Sequence, residues 1–144
     1  YRDPHKGAEL WHGGWMHTGD VASITAEGVV QIRDRIKYVI KTGGEWFCSL
    51  RIETLISLHA AVAEVAVVGV PDARWGERPL ALVVLAPGAE LEPGALVQHL
   101  EQFVSRGQIS KWAVPDDIRI VNAIPKTSVG KLDKKLIREQ VRDA

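Results

Sequence analysis

Short apolar runs alternate with breaks that contain glycine or proline along most of the chain. Runs of this length, rich in β-branched residues, are typical of strands, and a glycine-containing break of a few residues predicts a hairpin. Two hairpins are predicted in this way, around residues 25–28 and around Gly43-Gly44. Altogether seven segments are predicted to be strands, at residues 21–24, 29–32, 38–40, 46–48, 65–70, 80–85 and 118–121.

Three further segments show the 3.6-residue period of helices that bury one face. Ser49, Pro93 and Asp133 stand where these helices would begin, because Ser and Asp cap helix starts and proline suits the first turn. The first helix is predicted to extend to about residue 59, and Gly107 is predicted to end the second.

From residue 34 onward the order of elements is β-β-α-β-β-α-β-α, which predicts a small α+β domain with a short β-sheet packed against helices. A β-hairpin precedes this domain. Residues 1–19, rich in glycine, histidine and tryptophan, show no clear period, and residues 1–4 are predicted to form a loop. We therefore divide the chain into residues 1–33 and 34–144.

Composition and charge narrow the class of protein. Eighteen basic residues balance eighteen acidic ones, so no net charge favours binding to nucleic acid or to an anionic membrane. No apolar run approaches the roughly 18 residues of a membrane span. Cys48 is the only cysteine, which favours a reducing, cytoplasmic location. The five histidines show no ligand spacing, so we expect no protein-bound metal. The chain starts at Tyr1 without an initiator methionine, which predicts a piece of a longer protein.

One lysine near the end of the chain is the first candidate for chemistry. Lys131 follows Gly130 on a loop that begins at Pro125 and leads into a basic helix. A positioned ammonium at such a place stabilises negative charge on a phosphoryl group. The alternative is an ordinary solvated lysine. A P-loop is excluded, because Leu132 stands where that motif requires Ser or Thr.

Two charged residues flank the first predicted hairpin. Asp20 follows Gly19, and a carboxylate there can accept hydrogen bonds from both hydroxyls of a ribose. Its alternative is an Asx turn that opens the hairpin. Arg35 is predicted just past the second strand, between Asp34 and Lys37, in a charged linker or an ordinary polar loop.

Several short motifs, taken in order along the whole chain, resemble the carboxyl-terminal part of the adenylate-forming enzymes, which include acyl-CoA synthetases, luciferases and peptide-synthetase adenylation domains. These motifs are residues 15–20, 34–37 and 124–135. Residues 43–46 and 72–79 look most like medium- or long-chain fatty-acyl-CoA ligases. The resemblance implies joining of a carboxylic acid to ATP, release of pyrophosphate, and transfer of the acyl-adenylate to coenzyme A. It implies ATP/AMP and coenzyme A as ligands, and Mg²⁺ brought with ATP.

The resemblance also implies roles for individual residues. Asp20 and Arg35 would hold the nucleotide ribose, and Lys131 would be catalytic in adenylation. Asp34 and Lys37 would mark the hinge of a mobile carboxyl-terminal lid domain, residues 34–144. Residues 1–33 would be the end of a large amino-terminal domain, the partner of this lid. The residues expected to serve coenzyme A and the second half-reaction are Lys41, Gly43, Gly44, Glu45 and Arg74.

Two positions depart from the family pattern. Arg51 stands where many relatives have an acidic residue, and Trp75 stands where some have a basic one, so Arg74 would replace it or the contact would be lost. The phosphate-binding Ser/Thr/Gly-rich segment and the acyl pocket are absent from the sequence, so the isolated chain is expected to be inactive. Two alternatives stay open: an adenylation domain that loads a carrier-protein phosphopantetheine, and a non-catalytic interaction module with the same fold.

Overall fold

The computed structural model describes residues 2–142. The chain forms two compact units that divide between Lys37 and Tyr38. The first unit contains helix α1, Pro4–Leu10, a 3-10 turn at His12–Gly14, and the antiparallel strands β1, Asp20–Ile24, and β2, Val30–Arg35. The predicted hairpin is therefore present.

Helix α1 was not predicted, and Pro4, expected in a loop, is its first residue. The Asp3 carboxylate caps this helix by accepting the Lys6 N–H at 3.0 Å, and Pro4 occupies its first turn. No residue of α1 is buried, so the helix has no apolar face that a periodic pattern would reveal.

The second unit has the predicted order of strands and helices. Its elements are β3 Ile40–Thr42, β4 Glu45–Phe47, α2 Ser49–Ser57, β5 Val62–Asp72, β6 Gly76–Leu85, α3 Pro93–Ser105, β7 Asp117–Ile120 and α4 Lys134–Arg142, with a 3-10 turn at Lys111–Ala113. A further 3-10 turn, Ile36–Tyr38, contains the point at which the two units divide. The predicted α+β class, a short sheet packed against helices, is confirmed. Within the described residues, no helix is long and apolar enough to cross a membrane.

The strands of the second unit form one sheet in the order β4-β3-β6-β5, and β7 pairs with β6 in parallel. The antiparallel pair β5 and β6 is longer than the apolar runs predicted. Pro71, expected to end its strand, lies inside β5 opposite Glu77. Proline is tolerated there because β5 is an edge strand.

The core lies on both faces of this sheet. Val65, Val67, Ala81 and Val83 point to one face, where they pack with apolar residues of α2 and α3. Their neighbours Ala66, Val68, Leu80 and Leu82 point to the other face, where they pack with Ile124 and with Ile137 of α4. The alternation follows the two-residue period of strands and places α4 opposite the other two helices.

All three predicted helices begin within one residue of the predicted position. Pro93 is in the first turn of α3, and the Asp133 carboxylate caps α4 by accepting the Leu136 N–H at 3.1 Å. The third prediction, a Ser49 cap on α2, is wrong. Cys48 holds the cap position, and its side chain makes no capping hydrogen bond to the helix. The Ser49 hydroxyl instead accepts a hydrogen bond from Lys134 Nζ at 2.8 Å.

Candidate functional site

Asp20 and Arg35 are direct partners across the hairpin of the first unit. Arg35 Nε lies 3.2 Å from Asp20 Oδ1, with the Asp20 side chain 25% exposed and the Arg35 side chain 56% exposed. Gly19, just before the aspartate, has a φ of 73° that favours glycine. The structure thus brings together the two residues that the sequence analysis assigned to one ligand.

Arg35 is the last residue of β2 and not a linker residue beyond it, so the prediction of its place is wrong. The strand continues because its last residues still pair with β1, after a bulge between Val21 and Ala22. Asp34 is buried, and one of its carboxylate oxygens accepts the Arg35 N–H at 2.8 Å. Lys37 is exposed in the 3-10 turn that follows.

Gly43 and Gly44 form the two-residue turn between β3 and β4, with φ values of 55° and 89°. Two positive φ angles are what a tight hairpin turn of this kind requires. A side chain at Gly43 would lie 3.1 Å from the Trp75 ring, whereas Gly44 faces open space. Lys41 and Glu45, at either side of the turn, are exposed.

The loop between β5 and β6 lies beside this turn. The Gly43 N–H donates to the Trp75 carbonyl at 2.9 Å. The Asp72 carboxylate shapes the loop by accepting the N–H groups of Arg74 and Trp75 at 2.8 and 2.7 Å. The exposed Arg74 guanidinium stacks 4.6 Å from the centre of the Trp75 ring. Arg74 is therefore held close to the glycine turn.

Two neighbours of this turn were missed by the sequence analysis. One Glu77 carboxylate oxygen accepts the Lys41 N–H at 3.0 Å, and the Glu77 carbonyl accepts the Thr42 hydroxyl at 2.7 Å. The Trp112 ring lies 4.8 Å from that of Trp75. Glu77 and Trp112 are 35 or more positions from β3 and Trp75, respectively, so no local pattern could have linked them.

A charged pair fixes the start of β6 near these rings. The buried Arg78 guanidinium forms a bidentate ion pair with the Asp116 carboxylate and also donates to the Trp112 carbonyl at 2.9 Å. The hydrogen bond from Arg78 lowers the pKa of Asp116 below its ordinary value. The same bond raises the pKa of Arg78. Both groups therefore stay charged at neutral pH.

Lys131 lies on a loop that is closed by hydrogen bonds at its base. The Thr127 N–H donates to the Lys131 carbonyl at 2.7 Å, and the Thr127 hydroxyl accepts the Lys131 N–H at 3.2 Å. Gly130, with a φ of 78°, completes the turn by donating to the Thr127 carbonyl at 2.9 Å. The Lys131 side chain is exposed at the point where this loop closes.

Both ends of the loop are attached to the sheet. Lys126 pairs across the loop with Leu132, and its ammonium lies 2.7 Å from Glu64 Oε1 on β5. Leu132 packs against the core on the α4 face of the sheet. The predicted site residues of the second unit thus fall into two groups, one around the glycine turn and one at the Lys131 loop. Among the residues described, no cluster of His, Cys, Asp and Glu is arranged to hold a metal ion.

Comparison with known proteins gives a consistent match. The family profile of the AMP-binding enzyme C-terminal domain matches residues 51–131. A 3-methylmercaptopropionyl-CoA ligase of Ruegeria lacuscaerulensis is 40% identical over 96% of this chain and 25% of its own length. A long-chain-fatty-acid–CoA ligase of Thermus thermophilus is 42% identical over 90% of this chain and 23% of its own.

Among solved structures, ATP-bound MatB of Rhodopseudomonas palustris superimposes with a TM-score of 0.88 at 31% identity. The match covers 99% of this chain and 28% of the MatB chain. The chain therefore spans about a quarter of the length of the curated relatives that it matches.

Proposed function

The chain belongs to the family of AMP-binding enzyme C-terminal domains, and on this premise we propose that it forms the carboxyl-terminal part of an ATP-dependent acyl-CoA synthetase. The observation that carries the proposal is the Lys131 loop, an exposed ammonium on a backbone attached to the sheet at both ends. The overall reaction would convert a carboxylic acid, ATP and coenzyme A to acyl-CoA, AMP and pyrophosphate.

In the first half-reaction a carboxylate oxygen of the acid attacks the α-phosphorus of ATP, and the bond to pyrophosphate breaks. Negative charge accumulates on the phosphoryl oxygens as this happens, so the Lys131 ammonium would stabilise the transition state electrostatically. Mg²⁺ would arrive with ATP as part of the substrate. The reaction needs a cation whose backbone is held in place, and the hydrogen bonds that close the loop hold the Lys131 backbone in this way.

Asp20 and Arg35 would hold the nucleotide ribose. Arg35 Nε lies beside Asp20 Oδ1, and a carboxylate has further lone pairs that can accept a ribose hydroxyl. An exposed ion pair of this kind adds little to stability, which favours a role in binding. The guanidinium has further N–H donors that can reach ribose oxygens.

In the second half-reaction the sulfur of coenzyme A attacks the acyl carbonyl carbon, a thioester forms, and AMP leaves. The residues at the glycine turn, Lys41, Gly43, Gly44 and Glu45, would line the path of the pantetheine arm. Gly44 supports this role because a side chain there would face open space that a thin ligand can use. Arg74, held on Trp75, would meet a phosphate of coenzyme A.

The proposal includes a large amino-terminal domain as the partner that contributes the acyl pocket, with residues 1–33 as its end. Asp34 and Lys37 would form the hinge, and residues 34–144 would be the lid that turns between the two half-reactions. The named activities of the relatives, a long-chain fatty-acid ligase among them, support a fatty or other carboxylic acid as substrate. The single cysteine supports a cytoplasmic enzyme.

The test is a comparison of the two half-reactions in the full-length protein that contains this chain, with and without Lys131→Ala. We expect pyrophosphate release with a fatty acid to fall by about 10²- to 10³-fold, because the variant loses a charge that acts on the transition state. Thioester formation from a preformed acyl-adenylate should change much less.

Lys135→Ala is the matched control, since Lys135 is 84% exposed and lies four residues away on the same basic segment. An unchanged rate of adenylation in Lys131→Ala would contradict the role of Lys131. Absence of pyrophosphate release from the unaltered protein, with a series of carboxylic acids, would favour a non-catalytic module. Thioester formation on a carrier protein but not on coenzyme A would favour the carrier-loading alternative.

A further inference from the structure

Lys134, three positions after Lys131, is buried although it is charged. It is the first residue of α4. Its ammonium lies 2.7 Å from Glu53 Oε1 and 2.8 Å from the Ser49 hydroxyl, and 5.2 Å from the centre of the Tyr38 ring. Lys134 thus joins the start of α4 to α2, a helix that packs on the opposite face of the sheet.

The two residues that contact the Lys134 ammonium, Ser49 and Glu53, are themselves held in place. Ser49 and Glu53 lie one turn apart on α2, and both are buried. Glu53 Oε1 also accepts the N–H of Val67 on β5 at 2.7 Å. The carboxylate thus joins three elements, because it contacts the start of α4, its own helix α2 and the outer edge of β5.

Burial makes this contact hard to break. An ammonium and a carboxylate that are both about nine-tenths buried lose their hydration, and each depends on the other and on nearby hydrogen bonds for compensation. A displacement of the first turn of α4 would leave two buried charges without their partners. The start of α4 is therefore confined to one position relative to α2 and β5.

The Lys131 loop ends at this confined point. Only Leu132 and Asp133 separate Lys131 from Lys134, and a residue adds at most about 3.6 Å of reach. The other end of the loop is attached through Lys126 to Glu64, an exposed contact that contributes little. The buried contact of Lys134 is thus the firmer of the two attachments.

We propose that Lys134 is a positioning residue for adenylation: by its buried bond to Glu53 and Ser49 it fixes the base of the loop from which Lys131 reaches the phosphate. This inference rests on the proposed function. Lys134 itself touches no substrate. Its contribution to the rate passes entirely through the position of the Lys131 ammonium.

The experiment compares Lys134→Met with Lys135→Met in the full-length protein. Methionine keeps most of the side-chain length but removes the ammonium, and Lys135 is the adjacent, exposed residue. We expect Lys134→Met to lower kcat for pyrophosphate release by about 10- to 100-fold, because small displacements of a catalytic group have effects of this size. The KM for ATP should change by less than about threefold, and Lys135→Met should leave both parameters unchanged.

A second comparison separates positioning from a general structural role. If Lys134 acts through Lys131, then Lys134→Met should change the residual rate by less than about twofold in the Lys131→Ala background, since the two effects are not additive. The same 10- to 100-fold loss in both backgrounds would overturn the inference. So would equal behaviour of Lys134→Met and Lys135→Met.

A paired variant guards against a misfolded protein. Lys134→Met alone leaves the Glu53 carboxylate buried without its ammonium, so Lys134→Met with Glu53→Gln removes both charges and keeps the oxygen that accepts the Val67 N–H. We expect this variant to be folded by circular dichroism and still slow in adenylation. A return to the unaltered rate would overturn the inference.

The outcomes of these experiments also distinguish the positioning role of Lys134 from the proposed function on which it rests. No acyl-adenylate from the unaltered protein would refute the proposed function, and the inference would fall with it. An active protein with a normal Lys131→Ala variant would refute the role of Lys131 and, with it, positioning through Lys131. A slow Lys131→Ala variant with a normal Lys134→Met variant would refute the inference alone.

Discussion

Gly69 lets a glutamate reach the strand that carries Lys41. A Cβ atom at this buried position of β5 would lie 2.9 Å from Glu77 Oε2 and 3.3 Å from Ile40 Cγ2. The same Glu77 oxygen accepts the Lys41 N–H at 3.0 Å. Because Gly69 has no side chain, there is room beside β5 for the Glu77 carboxylate, which hydrogen-bonds to β3.

Gly69→Ala is expected to destabilise the chain by about 1–2 kcal/mol. Overpacking and the loss of one hydrogen bond each cost on the order of 1 kcal/mol. Urea unfolding followed by tryptophan fluorescence measures the change.

Gly94→Ala is the matched control for that measurement. Gly94 lies in the first turn of α3, and a Cβ atom there would have no neighbour within 4 Å, so alanine should be neutral or stabilising by up to about 1 kcal/mol. Equal stability of Gly69→Ala and Gly94→Ala would show that Glu77 moves without cost.

At the scale of residues, the sequence predicted which residues are candidates for the site better than it predicted the contacts that those residues make. Asp20 and Arg35 were assigned to one ligand, and the structure makes them cross-strand partners. The bulge that carries β2 on to Arg35 left no signal, because it depends on pairing between two strands. The partners of Lys134 were missed for the same reason, since Ser49 was interpreted as a helix cap and is 85 positions away.

Among elements, the Arg78–Asp116 pair joins the start of β6 to the segment that leads into β7. Arg78 is buried, whereas the Asp116 side chain is 63% exposed. Because the pKa of Asp116 is lowered in the folded chain, its ionised form stabilises the fold above the pKa of the unfolded state. That contribution is lost as the pH falls through the lowered pKa.

Asp116→Asn should therefore lower Tm at pH 7, and the gap between variant and unaltered chain should narrow once the pH falls below about 4. Arg78 stays charged throughout, because its pKa is raised from an already high value. Thermal unfolding followed by circular dichroism at a series of pH values measures the gap.

Asp117→Asn serves as the comparison, because Asp117 pairs with Arg119 at an exposed position. Exposed pairs contribute up to about 1 kcal/mol, so its effect on Tm should be smaller. A constant gap between Asp116→Asn and the unaltered chain from pH 7 to pH 3 would argue against the linkage.

Element order was predictable, and element ends were not. The buried strands β5 and β6 show continuous apolar runs, which is why both were found. Their ends extend beyond those runs, as far as Val62 and Gly76, because backbone pairing continues where burial does not. Helix α1 was missed because it buries nothing.

At the scale of the whole molecule, the residues of the proposed site are divided between the two units. Asp20 and Arg35 stand in one unit, and Lys131 and the glycine turn in the other. The family's phosphate-binding segment is absent from the sequence. The resemblance to a family was predictable because its motifs stand in order along the whole chain, whereas the acid cannot be read from a chain without the acyl pocket.

The isolated 144-residue chain is therefore expected to fold but to form no acyl-adenylate. Its affinity for AMP should be weak, with a Kd of about 1 mM or higher, since few contacts are available to offset the cost of association. Calorimetric titration with AMP and a pyrophosphate assay with ATP and a fatty acid measure the two expectations. Adenylation by this chain alone would overturn the assignment of the missing parts to another domain.

The contact between Glu53 and Val67 also bears on whether β5 can pair with a strand of another molecule. Strand β5 lies at the edge of the sheet, and an uncovered edge offers its N–H groups to strands of other molecules. The Glu53 carboxylate occupies one of those N–H groups and places negative charge, matched by Lys134, along the edge. The same side chain that holds the start of α4 thus leaves one N–H group fewer on the edge strand for another molecule to pair with.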